Sequence, residues 1–178
     1  MRPSVTDRPK ESDSILVIGW GNALRGDDAA GIRVARTVSA RAWPGVRVIE
    51  CHQPTPELAE DVARARRVVF VDAVDDRTAE HVRVSHVRTA DTPPPDALGH
   101  HLEPVGLLSL ARSAYGGEPE AWTVAVPARQ FDRPDCLSPL TAAAVNEAVK
   151  VVEGLVHTRP EAEGRPHDLT PPPRSPRP

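Results

Sequence analysis

The sequence predicts an α/β fold: a single three-layer domain with a five-stranded, mostly parallel twisted sheet, one antiparallel strand, and helices on both faces. Three observations point there. Ile15 to Ile18 and Val68 to Val71 are short unbroken apolar runs, which suit strands buried on both faces of a parallel sheet. Segments of helical periodicity alternate with such runs, the pattern of βαβ units. Between the first run and the first helix stands G-W-G-N-A-L-R-G-D-D, where Gly19, Gly21 and Gly26 permit a sharp turn and close backbone approach.

Taken in order, the first strand at Ile15 is followed by a helix with Ile32, Ala35 and Val38 at helical spacing, Gly31 and Val34 beside them. Trp43-Pro44-Gly45 is a turn, and Val46 to Glu50 reads as the second strand. Cys51 to Pro56 is a loop that ends with Thr55 as expected N-cap and Pro56 at the first helical position. Leu58, Val62 and Ala65 mark the inner face of the second helix. The third strand, Arg67 to Ala73, closes on Asp72. Val74 to Glu80 is too short for a crossover helix, so His81 to Val87 is expected to return antiparallel beside strand three. A proline-rich loop, Arg88 to Gly99, leads to His100 and His101 and then to a helix from about Glu103 to Tyr115. Trp122 to Val126 is the last strand, and Ser138-Pro139 opens the last helix.

A chain of 178 residues, 39% hydrophobic, supports one core and not two. Residues 1–13 read as a disordered arm and 14–156 as the folded domain. Residues 157–178 read as a disordered proline-rich tail, because seven of the 20 prolines fall there without apolar periodicity. The net charge of −3, with basic residues interspersed among acids, argues against a nucleic-acid partner. No apolar run approaches a membrane span, and the N-terminus lacks a signal-peptide core, so a cytoplasmic protein is the expectation; a monomer is expected. Cys51 and Cys136 form neither a disulfide framework nor a metal knuckle, and each is expected as a free thiol.

The glycine turn admits two readings. A nucleotide phosphate is disfavoured: Leu24 replaces the third glycine of the fingerprint, and Asp27 and Asp28 set negative charge where a pyrophosphate would sit. Paired carboxylates beside open amides suit a cation, a proton-transfer role, or a helix cap. Asp72, ending a neighbouring strand, faces the same crevice if both strand ends lie at one sheet edge. No G-x-S-x-G elbow or H-E-x-x-H helix occurs, which leaves serine-hydrolase and zincin chemistry without support.

G-W-G-N-A-L-R-G-D-D-A-A-G-I-R-V resembles the opening signature of the hydrogenase maturation proteases. Those endopeptidases trim the C-terminus of the large subunit of nickel-iron hydrogenases. Val69-Phe70-Val71-Asp72-Ala73 is similar to the family's apolar strand ending in aspartate, Gly99-His100-His101 sits where the family keeps its histidine, and Leu137-Ser138-Pro139 is similar to its Gly-Leu-Ser-Pro. The resemblance covers about Ile15 to Val152. It implies an aspartic-type endopeptidase with Asp28, Asp72 and His100 as both catalytic and metal-contacting residues. The metal implied is nickel, supplied by the large-subunit precursor, which is the implied partner. Register favours His100 over His101, although Gly99 stands where the family usually has Ser or Thr. The loop His52-Gln53-Pro54-Thr55 replaces one that is glycine-rich in some members and associated with substrate recognition; a plain loop is the other reading. A non-proteolytic protein that binds the precursor and checks its nickel is the alternative function.

Overall fold

The computed structural model describes residues 14–76, 78–88, 102–133 and 136–158. The expectations for the N-terminal arm, for His100 and His101, and for most of the C-terminal tail fall outside the described residues.

β1 (Ile15–Trp20) is buried over nearly its whole length, as an unbroken apolar strand requires. A 3₁₀ turn (Gly26–Ala29) leads into α1 (Ala30–Ala40). β2 (Val46–Cys51) precedes a second 3₁₀ turn (Pro56–Leu58) and the short α2 (Ala59–Arg64). β3 (Arg67–Asp75) runs past Asp72, and β4 (Arg83–Val87), α3 (Pro104–Tyr115), β5 (Glu120–Ala128) and α4 (Pro139–His157) complete the chain. Thr55 holds the expected cap position with extended backbone, but its side chain makes no cap bond to the helix. Ser138 does cap α4, accepting from the Thr141 amide, with Pro139 opening the helix. Among the described residues no helix is long and apolar enough to cross a membrane.

The strand order is β2-β1-β3-β5-β4, parallel except for the β4–β5 pair. The antiparallel strand is therefore present, but it lies beside β5 and not beside β3. Burial explains the exchange. β5 carries the buried Ala121, Val124 and Val126 and pairs with β3 from Arg67 opposite Glu120 to Asp75 opposite Ala128. β4 presents Arg83, Ser85 and His86 to solvent. The apolar strand takes the interior and the polar one the edge, where an unpaired backbone row can be hydrated.

Alternating side chains feed two cores. Val17, Val69, Val71, Val124 and Val126 pack against α1 and α4 through Val34, Val38, Ala148 and Val152. Leu16, Ile18, Val68, Phe70 and Ala121 pack against α2 and α3 through Val62, Leu107, Leu108 and Ala111. At the N-terminal end of β3, Arg67 is only 2% exposed. Its guanidinium pairs with Glu120 and donates to the carbonyls of Leu155 and Thr158, which anchors the end of α4.

The chain passes from β1 outward to β2, then crosses back to β3 on the other side. That reversal opens a crevice at the carboxyl ends of β1 and β3, where ligands of open α/β sheets bind.

Candidate active site

A cleft of about 570 Å³ occupies that crevice on the α2/α3 face. Its position follows from strand parity. Asp72 continues the row of Val68 and Phe70, so its side chain emerges on that face just where the packed core ends. Phe70, Thr123 and Ala125 line the cleft from the sheet, Leu102, Glu103 and Pro104 from the start of α3, and His52 to Pro54 from the loop after β2. Asp28 and Arg25 enter from the turn after β1.

That turn is tightly held. Gly21 (φ 139°) and Gly26 (φ 54°) adopt conformations that side-chain-bearing residues rarely reach. The Leu24 amide donates to Asn22 Oδ1 at 2.9 Å and the Asn22 amide to Asp28 Oδ2 at 2.9 Å. One oxygen of Asp28 is thereby fixed to its own loop.

The adjacent Asp27 turns the other way and is fully buried. It accepts from the amides of Arg129 and Gln130 at 2.9 Å each, from the Ser138 amide at 2.6 Å, and from Ser138 Oγ at 2.8 Å. Burial alone would raise its carboxyl, but the hydrogen bonds from Ser138, Arg129 and Gln130 outweigh it and hold the group below the ordinary range. Neither aspartate caps the helix by a side-chain bond, so the capping reading falls away. Asp27 ties the turn to the segment before α4, and Asp28 is left for the cleft.

Asp72 is held differently. Its Oδ1 accepts from its neighbour's amide, Ala73 N, at 2.8 Å. Burial pushes its carboxyl up to about 6, the negative charge of Asp28 adds to the rise, and the bonds from Ala73 and the Trp20 side chain act against it. Trp20 itself is braced edge-on against Phe70, ring centroids 6.2 Å apart. The result is two carboxylates facing one crevice, one of them protonating near neutral pH. Such pairs attract a divalent cation or exchange a proton with substrate.

His52 also reaches the cleft. The Gly21 amide donates to the His52 carbonyl at 3.2 Å, and His52 Nδ1 lies 3.2 Å from the Gly21 carbonyl. A carbonyl only accepts, so Nδ1 is the donor of this bond. Among the described residues no three His, Cys, Asp or Glu side chains converge as a metal-ligand group. The described chain resumes after the two histidines at Leu102, which lines the cleft.

The structure thus brings Asp28 and Asp72 together as the sequence predicted, while His100 falls outside the described residues. Sequence reasoning missed Trp20, Arg25 and Glu103 as cleft residues. Arg25 stood inside the same motif; its position between Gly21 and Asp28 was the available signal.

A switch-point crevice lined by two aspartates defines an α/β protein with an open acidic cleft at the carboxyl edge of its sheet. More particularly, the chain has the fold of the hydrogenase maturation endopeptidases. It resembles the hydrogenase maturating endopeptidase HybD from E. coli, with 21% identity and a TM-score of 0.63 over 80% of this chain and 91% of that one. It also resembles the [NiFe] hydrogenase maturation protease HybD from Thermococcus kodakarensis, with 21% identity and a TM-score of 0.61 over 80% and 99%. The hydrogenase 2 maturation peptidase from a Thaumarchaeota archaeon gives 25% identity and a TM-score of 0.60 over 81% and 98%. No protein-family model and no curated protein matches the chain.

Proposed function

We propose that this protein is an endopeptidase that removes the C-terminal extension of the nickel-loaded large subunit of a nickel-iron hydrogenase. The observation that carries this reading is the pairing of Asp28 and Asp72 across the switch-point cleft, in a chain with the maturation-protease fold. Two carboxylates form a hard, anionic pair, and with an imidazole from His100 they suit a borderline divalent cation that arrives in the precursor. The cation neutralises charge near the scissile bond when bound.

The chain's own contribution is proton handling. Asp72, titrating at about 6, is largely ionised at pH 7 and basic enough to take a proton from water. As the water oxygen bonds to the scissile carbonyl carbon, the proton passes to the Asp72 carboxylate. It then moves to the amide nitrogen as the C–N bond breaks. Asp28 is held in place by the Asn22 amide, and its charge adds to the rise of Asp72 and sustains that basicity.

The test is incubation of the purified protein with nickel-loaded and nickel-free precursor, followed by intact-mass measurement. Loss of the extension from the loaded form alone is expected. An unchanged mass together with stable binding would mean a nickel-checking binder, and equal processing of both forms would exclude the shared-cation site.

A further inference from the structure

Arg25 is the only arginine or lysine among the described residues that line the cleft, and it faces a site whose other charged side chains are Asp28, Asp72 and Glu103. Its backbone is fixed: the Arg25 amide donates to the Asn22 carbonyl at 3.0 Å, and the Arg25 carbonyl accepts from the Asp28 amide at 3.1 Å. Its side chain is exposed and makes no hydrogen bond or ion pair among the described residues. Asp28 is close in sequence, yet one of its oxygens is already engaged by the Asn22 amide. The same turn carries Leu24, 70% exposed, the most exposed large hydrophobic residue described.

A guanidinium on a rigid base, with its donors unused at the rim of an otherwise acidic cleft, is complementary to a carboxylate. Acids elsewhere in the cleft repel that carboxylate, so among the described cleft residues the Arg25 rim is where it is accepted. Leu24 supplies apolar surface beside the same point. We infer that the Leu24–Arg25 turn is a substrate-reading element, in which Arg25 binds a carboxylate of the precursor's C-terminal extension. The carboxylate is either an acidic side chain or the chain terminus. The inference rests on the reading of the cleft as a site for that extension.

The test measures binding of the nickel-loaded precursor to the full-length protein by titration calorimetry. Three precursors are compared: native, one with every Asp and Glu of the extension changed to its amide, and one with two glycines appended to its C-terminus. They are titrated into wild type, Arg25→Gln and Arg25→Lys, with Arg36→Gln as a charge-loss control, since Arg36 lies on α1 and pairs with Glu50. Arg25→Gln is expected to raise the Kd for native precursor about five- to tenfold, the scale of one charge-assisted contact. Arg25→Lys should recover part of the loss, and Arg36→Gln should bind as wild type does. One altered precursor should then bind wild type and Arg25→Gln equally: the amide form if a side chain is read, the glycine-extended form if the terminus is read. Equal affinity of wild type and Arg25→Gln for native precursor overturns the inference, as does a difference that persists with both altered forms. Arg25-dependent binding without cleavage would overturn the peptidase reading and leave this one standing.

Discussion

Asp27 and Asp28 are neighbours in the chain, yet they live in opposite environments. Asp27 is buried and every hydrogen bond its carboxylate accepts comes from the segment that leads into α4, so its ionised form is favoured. Asp28 and its partner Asp72 face a cleft, where one carboxyl is driven up by burial and by the other's charge. A satisfied carboxylate stabilises the fold; a strained one is available for chemistry. The contrast separates the residue that builds the turn from the residues that use it.

The largest effect expected from breaking this division is on activity. Asp72→Asn and Asp28→Asn keep shape but remove the charge that a cation and a proton need, and cleavage should fall by about 10³-fold or more. Full activity in both variants, assayed on loaded precursor, would refute the assignment. In wild type, kcat/KM should rise with pH through about 6 as Asp72 ionises.

Next comes the structural partner. Asp27→Ala removes the acceptor of two Ser138 bonds and of the Arg129 and Gln130 amides, leaving buried donors unpaired. A loss of about 3–5 kcal/mol in urea unfolding at pH 7 is expected. Because the folded-state value of Asp27 is lowered, its contribution is present above its unfolded value near 3.8 and disappears as pH falls below that. A wild-type-like midpoint for Asp27→Ala would show that the bonds contribute little.

The sign reverses at Asp72. Its folded-state value is raised from 3.8 to about 6, so ionisation costs folding free energy above pH 6 and nothing below about pH 4. A shift of that size bounds the cost near 3 kcal/mol; with the group only partly buried, about 1–2 kcal/mol is the working figure. Asp72→Asn should therefore be more stable than wild type at pH 8 by that amount, and equal to it at pH 4. Denaturation curves at the two pH values decide the matter, and a destabilised variant at pH 8 would contradict the strain.

The smallest effect lies far from both aspartates. Thr158 is tied to the core through its carbonyl and Arg67, so a truncation that begins at residue 159 spares that anchor. A tail without apolar periodicity buries little, and its removal should change stability by less than about 0.5 kcal/mol. A larger loss in thermal unfolding would mean that the tail docks.

Much of this was legible from residue order. The apolar runs marked β1 and β3, Ser138-Pro139 marked the start of α4, and the glycine turn marked the strand-to-helix reversal, because each signal acts over a few residues. The partner of β4 was not legible. Local sequence shows that the connection is too short for a crossover, but competition between β4 and β5 for the place beside β3 depends on burying the whole sheet. Arg67 reads as an ordinary strand-start cation until Glu120 and the end of α4 close over it.

The sequence by itself marked the acids that needed an account: two adjacent acids after a glycine turn, and a third at a strand end. It also determined the α/β alternation, since periodicity and turn residues are local properties of the chain. Only the tertiary structure decided which aspartate is structural and which lines the cleft. That division depends on where distant donors lie, and the amides of Arg129, Gln130 and Ser138 reach Asp27 only after α4 has packed against α1. The raised carboxyl of Asp72 has the same origin, because desolvation and the field of Asp28 exist only once the strand ends share one cleft.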